Sequence, residues 1–220
     1  SENYERRFIM TFPNETLPKG RKQKTTALYD RFISMGAVMG DSFGLENVLW
    51  FANDQEDAYE EPTIKRSRSH EYVSKEVKNV RENVGVIEIA NFSKHEFKGP
   101  DARKFLNYVL AGTIPRPGRI SLNPMLTPKG KLYGDLTVAC LDEDKFIVFG
   151  SGAVQEMHRR WFEKHLKDFN LIYQNRSDDF HGLALSGPKS RELLQKLVRE
   201  NISNENFKFR DVKEMYVAGV

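Results

Sequence analysis

The sequence is short of cysteine, of long apolar runs and of an excess of either charge. A single cysteine, Cys140, excludes an internal disulfide and argues against a cysteine-rich zinc site. No apolar run reaches the length of about 18 residues that is typical of a transmembrane helix. The 34 Lys and Arg nearly balance the 31 Asp and Glu, so no basic field favours nucleic acid or a membrane surface. The composition therefore favours small-molecule or protein partners.

Histidine and cysteine offer little catalytic chemistry. Among the five histidines, His158 and His165 lie seven positions apart on one predicted helix, too far to share a metal ion without further ligands. A thiol nucleophile would need Cys140 to be accessible. Strand alternation groups that cysteine with Leu136 and Val138 on one apolar face. We therefore expect a buried, unreactive thiol and no metal site.

A glycine-containing stretch, FGSGAVQ at 149–155, lies between a predicted strand and a predicted helix. A dinucleotide-binding loop would occupy such a place, but Gln155 stands where its third glycine would be. We interpret the stretch as a glycine turn and expect no flavin site in this chain.

The spacing of apolar residues predicts a regular alternation of elements after residue 62. The order βαββαβ is that of a ferredoxin-like unit, an α+β fold in which helices cover one face of an antiparallel sheet. Residues 1–62 are rich in polar, Pro-bearing and Gly-bearing stretches, and we expect an irregular extension that wraps another body, on which Trp50 and Phe51 pack. A helix at 69–84 has Ser69 as its expected N-cap. Strands are predicted within 84–99, 119–150 and 171–187, and helices at 100–111, 153–169 and 188–198.

Two stretches echo each other along the chain. HEFKGPDARKFLNYVL at 95–110 and LALSGPKSRELLQKLV at 183–198 share a strand, a Gly-Pro step, an Arg and an apolar helix. Any strand that enters a helix through Gly-Pro has this pattern, so chance and a true structural repeat both remain open.

Asp135 is the residue that folding alone explains least. Strands disfavour Asp, yet GDLTV at 134–138 reads as the start of one. Period two places Asp135 with Thr137 on the face opposite Cys140.

The pairing of this strand depends on its turn. A three-residue turn at 142–144 would pair Leu141 with Lys145 and place Asp135 opposite Ser151. Two interpretations then stay open: a ligand-facing carboxylate in a partly apolar hollow, or a strand-edge Asp that caps backbone amides.

Three stretches carry a resemblance to a known family: VGVIEIANFSKHEFKGPDARKFLNYVL, NPMLTPKGKLYGDLTV and GLALSGPKSRELLQKL. They resemble the folate-binding aminomethyltransferase domain of the glycine-cleavage T-protein. The likeness is closer to the version fused behind the flavin domain of dimethylglycine and sarcosine dehydrogenases. There, GRKQKTTALYDRFISMGAVMGDSFGLENVLWFA has its counterpart in the segment that leaves the flavin domain. The resemblance covers nearly the whole chain.

The resemblance implies an activity and a domain organisation. In the family, a flavin domain oxidises an N-methyl amino acid, and tetrahydrofolate captures the one-carbon unit as methylenetetrahydrofolate. Residues 1–62 would be a linker after a flavin domain, and residues 63–220 the first part of the folate-binding domain. FAD would then be bound outside this chain, which would be an inactive internal fragment. The protein would be cytoplasmic in a bacterium and located in the mitochondrial matrix in a eukaryote.

The resemblance also implies site residues. The family's folate-site aspartate corresponds to Asp135, which would contact the folate near N10 and assist proton transfer. T-proteins usually have Tyr at 147 and Asn at 151, and their acidic pair is reduced here to Gly134-Asp135. The motif whose Glu holds the pterin ring does not follow VKEMYVAGV within the sequence. The other expected folate-binding positions are Phe92, Leu122, Ile147, Phe149 and Ser151.

Two rival functions stay open. The first is a stand-alone aminomethyltransferase or demethylase that depends on tetrahydrofolate. The second is a non-catalytic folate-sensing module. The presence of Asp135 argues against the second, whereas Ile147 and Ser151 leave it open.

Overall fold

The structure is a computed structural model in which residues 2–12 and 15–220 are described. Two compact units divide the chain: unit 1 contains Ser1–Glu88 and Leu183–Ser190, and unit 2 contains Ile89–Gly182 and Arg191–Val220. The boundary at residue 62, between a linker and a folate-binding domain, stays a prediction. The helices are α1 (Glu2–Glu5), α2 (Tyr29–Ser34), α3 (Ser69–Glu82), α4 (Ala102–Val109), α5 (Gln155–His165) and α6 (Ser190–Gln195). The strands are β1 (Ala37–Ser42), β2 (Leu45–Phe51), β3 (Gly85–Glu88), β4 (Phe92–Lys98), β5 (Arg119–Leu126), β6 (Leu132–Asp142), β7 (Lys145–Ser151), β8 (Ile172–Asn175) and β9 (Leu183–Ser186).

Unit 1 contains an antiparallel hairpin, β1–β2, that the sequence analysis did not predict. Trp50 on β2 is buried, and its ring lies 4.9 Å from that of Tyr72 on α3. Val38 and Ala52 complete this small core. Trp50 therefore packs on α3, which lies outside the predicted extension of residues 1–62, whereas the ring of Phe51 lies 6.0 Å from that of Phe32 on α2, within those residues.

Helix α3 begins one residue earlier than predicted. Arg68 occupies the N-cap position and makes no side-chain capping bond. Ser69, the expected N-cap, is the first helical residue, and its Oγ lies 2.6 Å from Oγ of Ser67. The helix start is thus stabilised without the side-chain cap that Ser69 was expected to supply.

Unit 2 is built around a five-stranded sheet of order β5-β6-β7-β4-β8. All neighbouring strands are antiparallel. The order β4-α4-β6-β7-α5-β8 reproduces the ferredoxin-like unit, and β5 is an additional edge strand next to β6. Pro124 is compatible with β5 because an edge strand tolerates a residue that lacks an N–H group. The predicted fold class is confirmed.

One face of this sheet is the core of unit 2. Helices α4 and α5 cover it with Phe105, Leu106 and Phe162, all fully buried. The strands contribute alternate residues, as a pleated sheet with one covered face requires. These are Phe97, Met125, Leu136, Val138, Cys140, Phe146 and Val148.

The two echoing stretches adopt the same local structure. Each leaves its strand through a glycine of positive φ, +138° at Gly99 and +119° at Gly187. A Cβ on Gly99 would lie 2.9 Å from Cα of Leu171, and one on Gly187 would lie 2.5 Å from the carbonyl oxygen of Asn83. Only glycine fits such an approach to backbone.

The hydrogen bonds and the register of the two stretches also agree. The amide two residues after the glycine donates to the chain that enters the paired strand: Asp101 to Asn170 at 3.2 Å, and Lys189 to Asn83 at 3.0 Å. The residue before each glycine pairs with the residue two places beyond that acceptor, Lys98 with Ile172 and Ser186 with Gly85. This match favours a structural repeat over chance resemblance.

Candidate functional site

Strand β6 begins earlier than predicted, at Leu132, so Asp135 lies within the strand rather than at its start. Asp135 pairs with Pro124 of β5. Its carboxylate therefore projects sideways from a paired strand. The expectation of a strand that opens with Asp135 is wrong, because the ladder with β5 continues past that residue to Leu132.

The β6–β7 register is confirmed, but the turn differs from the predicted one. Thr137 pairs with Phe149 and Cys140 with Phe146, which is the predicted alignment. At the turn, Asp142 rather than Leu141 pairs with Lys145, since the register shifts beyond Cys140. Two residues, 143 and 144, then connect the strands. The bulge at Leu141 absorbs the difference.

All six predicted site residues lie on the face of the sheet opposite the core, which we call the open face. Pairing across the strands places them in consecutive rows. Phe92 pairs with Ser151, and Asp135 lies in that row by extension of the β6–β7 register. The next row contains Leu122, Thr137, Phe149 and Lys94, and the row after it contains Ala139, Ile147 and Glu96.

The open face exposes apolar side chains beside the carboxylate. Phe92 is 45% exposed and Leu122 is 62% exposed. Asp135 and Ser151 are also exposed, whereas Ile147 and Phe149 are half-buried. The structure thus brings the predicted residues together as an open surface, in place of the expected partly apolar hollow.

The Asp135 side chain has no structural partner in the described part of the chain. Over residues 2–12 and 15–220, its carboxylate makes no hydrogen bond and no ion pair. An Asp that capped backbone amides would accept at least one such bond. This geometry argues against the capping interpretation and leaves the carboxylate available to a ligand.

Lys94 was missed by the sequence analysis. It lies on the open face next to Phe149, yet it is only 3% exposed. Its Nζ donates to the carbonyl oxygens of Ala90 at 3.0 Å and Phe92 at 2.7 Å. A lysine at an inward-reaching strand position gives no sequence signal that separates it from a solvated one.

A second charged group borders the same face. Arg176 donates to Glu96 at 3.2 Å, and its guanidinium lies 4.7 Å from the ring centre of Phe180. Glu96 lies in the row of Ile147. The part of the open face around Glu96 is therefore polar, while Phe92 at the other end of β4 and Leu122 on β5 expose apolar side chains.

Cys140 is buried on the core face, as predicted. Its thiol donates to the carbonyl oxygen of Asp142 at 3.1 Å, and Arg103 lies 3.4 Å from the sulfur. Burial raises the pKa of the thiol, an effect that the Arg103 charge opposes. A thiol with a raised pKa is a poor nucleophile at neutral pH.

His95 and His158 form a buried polar group on the core face, next to β6. Nδ1 of His95 lies 2.8 Å from the hydroxyl of Tyr173. Burial, followed by the neighbouring His158, lowers the pKa of His95 to about 4. Burial also lowers the pKa of His158, whose Nε2 would lie 2.8 Å from a Cβ on Gly134. Both rings are therefore neutral at physiological pH.

The glycines of FGSGAVQ are used in packing. A Cβ on Gly150 would lie 2.7 Å from Leu136, and one on Gly152 would lie 1.9 Å from the carbonyl oxygen of Asn91. These positions face the chain itself, so their residues do not fit a pyrophosphate. In the described ranges, no group of three or more His, Cys, Asp or Glu is placed to hold a metal ion. No described helix is long and apolar enough to cross a membrane.

A cavity of about 410 Å³ lies in unit 1, and none of the predicted site residues lines it. Its polar groups largely pair with one another: Arg68 and Tyr72 both bond Asp57, at 2.6 and 2.7 Å. Arg66, Ser67, His70 and Glu71 complete the lining. This self-pairing suits a solvated helix entrance.

Comparison with known proteins defines the class. The family model described as the GCVT N-terminal domain matches residues 28–220, and the chain therefore belongs to this family. Its fold is similar to that of the aminomethyltransferase T of the glycine cleavage system from Bartonella henselae. That match has a TM-score of 0.63 at 21% identity and covers 79% of this chain and 43% of the other.

Two enzyme groups are among the relatives of this chain. Dimethylglycine dehydrogenase, mitochondrial, from Mus musculus is 32% identical over 100% of this chain and 25% of its own length. An aminomethyltransferase from Thermotoga sp. (strain RQ2) is 26% identical over 90% of this chain and 49% of its own length. The chain thus spans about a quarter of the dimethylglycine dehydrogenase relatives and carries an aminomethyltransferase-like domain related to these enzymes.

Proposed function

We propose that the open face of unit 2 is the part of a folate site that receives a one-carbon unit in a flavin-dependent N-methyl amino acid dehydrogenase or oxidase. The observation that carries the proposal is the exposed Asp135 carboxylate, which has no partner in the described chain and lies beside exposed Phe92 and Leu122. The relation to dimethylglycine dehydrogenase over the full length of the chain supports the substrate class.

The open face fits a reduced folate. Tetrahydrofolate combines flat rings with N–H groups, and Phe92 and Leu122 supply apolar surface for the rings. Asp135 is an acceptor for an N–H near N10 and can take or return one proton there as the carbon is captured. Ile147 and Phe149 would support the rings from below, and the Ser151 hydroxyl can donate at the edge of the row.

The amine would be oxidised outside this chain, where a bound flavin would accept the two electrons that the amine loses. The residues of this chain would only hold the folate, orient it and move a proton at the Asp135 carboxylate. The expected partners are small-molecule folate and a flavin domain of the same polypeptide. The mitochondrial relatives support a matrix location in a eukaryote, and the bacterial aminomethyltransferases support a cytoplasmic one in a bacterium.

The test is Asp135→Asn in the complete protein. Loss of a charge-assisted hydrogen bond should weaken the folate-dependent step by about ten- to a hundredfold. The rate of amine oxidation, measured as flavin reduction, should stay near the parental value. The yield of methylenetetrahydrofolate should fall, and free formaldehyde should rise. The matched control is Asp144→Asn, at an exposed position in the β6–β7 turn.

Two outcomes would contradict the proposal. The first is a parental yield of methylenetetrahydrofolate from Asp135→Asn with folate below saturation. The second is an equal loss in Asp144→Asn, which would show a general effect of removing charge from this hairpin. A protein that forms methylenetetrahydrofolate without bound flavin would favour the stand-alone aminomethyltransferase instead.

A further inference from the structure

Lys94 is a buried lysine on the exposed side of a sheet. Phe149, which pairs with Lys94 across β4 and β7, is half-buried, and so is Ile147, which pairs with Glu96 in the next row. Leu122, in the same row as Lys94, is largely exposed. Lysine is rarely buried unless its nitrogen is bonded. The bonds that Lys94 makes therefore indicate what its burial achieves.

Those bonds run along the chain to the turn that precedes β4. Nζ donates to the carbonyl oxygens of Ala90 and Phe92, at 3.0 and 2.7 Å. One side chain thus joins two carbonyls on either side of Asn91. The turn is also bonded to a segment distant in sequence, since the Ile89 amide donates to the carbonyl oxygen of Gly182 at 2.8 Å.

The main chain of Lys94 is fixed as well. The Lys94 amide donates to Oγ of Ser177 at 2.9 Å, and the Lys94 carbonyl oxygen accepts from the Arg176 amide at 2.7 Å. The side chain is therefore held at its base and bonded at its tip. Such an arrangement transmits the position of the sheet to the turn.

We infer that Lys94 is a positioning residue that holds the 90–92 turn and thereby sets the aromatic wall formed by Phe92. This inference rests on the proposed function, because Phe92 is one of the expected folate contacts. Phe92 is 45% exposed, and its backbone pairs with Ser151 of β7. The Lys94 bond to the Phe92 carbonyl oxygen adds a second constraint on the backbone that carries the ring, and a preordered wall loses less conformational freedom when a ligand binds.

The test compares Lys94→Met with Lys98→Met in the complete protein. Methionine keeps the length of the lysine stem but donates no hydrogen bond. Lys98 lies on the same face of the same strand and is exposed, so its replacement controls for loss of a lysine. Hydrogen exchange of the amides at 89–92 reports the turn, and titration with tetrahydrofolate reports the site.

We expect Lys94→Met to speed exchange at 89–92 and to weaken tetrahydrofolate binding by about tenfold, the change that corresponds to about one lost hydrogen bond. Lys98→Met should change neither. The oxidation of the amine should keep its kcat, while the KM for tetrahydrofolate rises. If Lys94→Met does not fold, Lys94→Gln keeps one donor group and should give a smaller change of the same kind.

The possible results distinguish a failure of the Lys94 role from a failure of the proposed function. Faster exchange with unchanged affinity would overturn the positioning role, and so would weaker binding with unchanged exchange at 89–92. If the parental protein does not bind tetrahydrofolate, the proposed function fails. The role of Lys94 in folate binding then fails as well. Parental binding together with unchanged binding by Lys94→Met would remove only the role of Lys94.

Discussion

The two faces of the unit 2 sheet alternate along the same strands but serve different ends. On β6, Leu136, Val138 and Cys140 are fully buried beneath the helices. Asp135, which precedes them on the same strand, is exposed. Packing accounts for every apolar residue of the core face. Packing does not account for an exposed, unpartnered carboxylate beside exposed Phe92 and Leu122. Side chains whose exposure folding does not explain are therefore the candidates for contact with a ligand.

The largest expected difference between the faces is in stability. Leu136→Ala opens a cavity in the core and should lower the free energy of unfolding by about 2–5 kcal/mol. Leu122→Ala, at a position that is 62% exposed on the neighbouring strand, should change it by about 0.5 kcal/mol or less. Urea unfolding of both variants measures the difference. Similar losses in the two variants would mean that the open face is covered in solution.

Acid should destabilise the core face through His95. Its pKa is about 4 in the folded chain against 6.5 in the unfolded one, so the unfolded state takes up a proton first as pH falls. Stability present above pH 6.5 should therefore decline by up to about 3 kcal/mol towards pH 4. His158, whose pKa is also lowered by burial, acts in the same direction.

Melting curves between pH 7 and pH 4 check this prediction. His95→Gln removes the titrating group and should flatten the decline. His70→Gln, at an exposed position on α3, is the control and should leave it unchanged. An unchanged decline in His95→Gln would assign the acid sensitivity to other groups.

Gly134 should be sensitive because its side-chain position faces the core. An added Cβ would lie 2.8 Å from Nε2 of His158 and 3.2 Å from Cε of Met125, so Gly134→Ala should cost about 1–3 kcal/mol of stability. Gly20→Ala meets nothing closer than 3.9 Å and should change little. In a double-mutant cycle, His158→Ala should reduce the penalty of Gly134→Ala. Additive effects of the two substitutions would show that the ring does not limit this position.

Thiol labelling gives the smallest but simplest contrast between the faces. Cys140 should react slowly with a thiol reagent in the native state and rapidly in denaturant, because it is buried and its pKa is raised. A cysteine introduced by Leu122→Cys on the open face should react rapidly under native conditions. Fast native labelling of Cys140 in the parental chain would reverse the assignment of the two faces.

Much of unit 2 could be predicted because its signals are local. Strand alternation identified the buried side of Cys140, and the apolar runs gave the ferredoxin-like order. The start of β6 was misjudged because Gly134-Asp135 resembles a strand boundary. Gly134 is in fact required inside the strand, since the His158 ring occupies the space of any side chain there.

Features that depend on distant partners could not be predicted. Strand β3 pairs with β9 across nearly a hundred residues, and no sequence pattern specifies that partner. The role of Lys94 follows from two carbonyl groups whose position only the folded turn determines. The bulge at Leu141 likewise depends on the folded hairpin, whose register shifts between Cys140 and Asp142.

The most direct test of the account is the equilibrium affinity of the complete protein for tetrahydrofolate, measured by titration for the parental chain, Asp135→Asn and Asp144→Asn. We expect Asp135→Asn to bind about ten- to a hundredfold more weakly than the parent and Asp144→Asn to bind as the parent does. Melting curves of the three proteins should coincide, since the Asp135 side chain has no partner in the described part of the chain. Parental affinity in Asp135→Asn would contradict the assignment of the open face as the folate site.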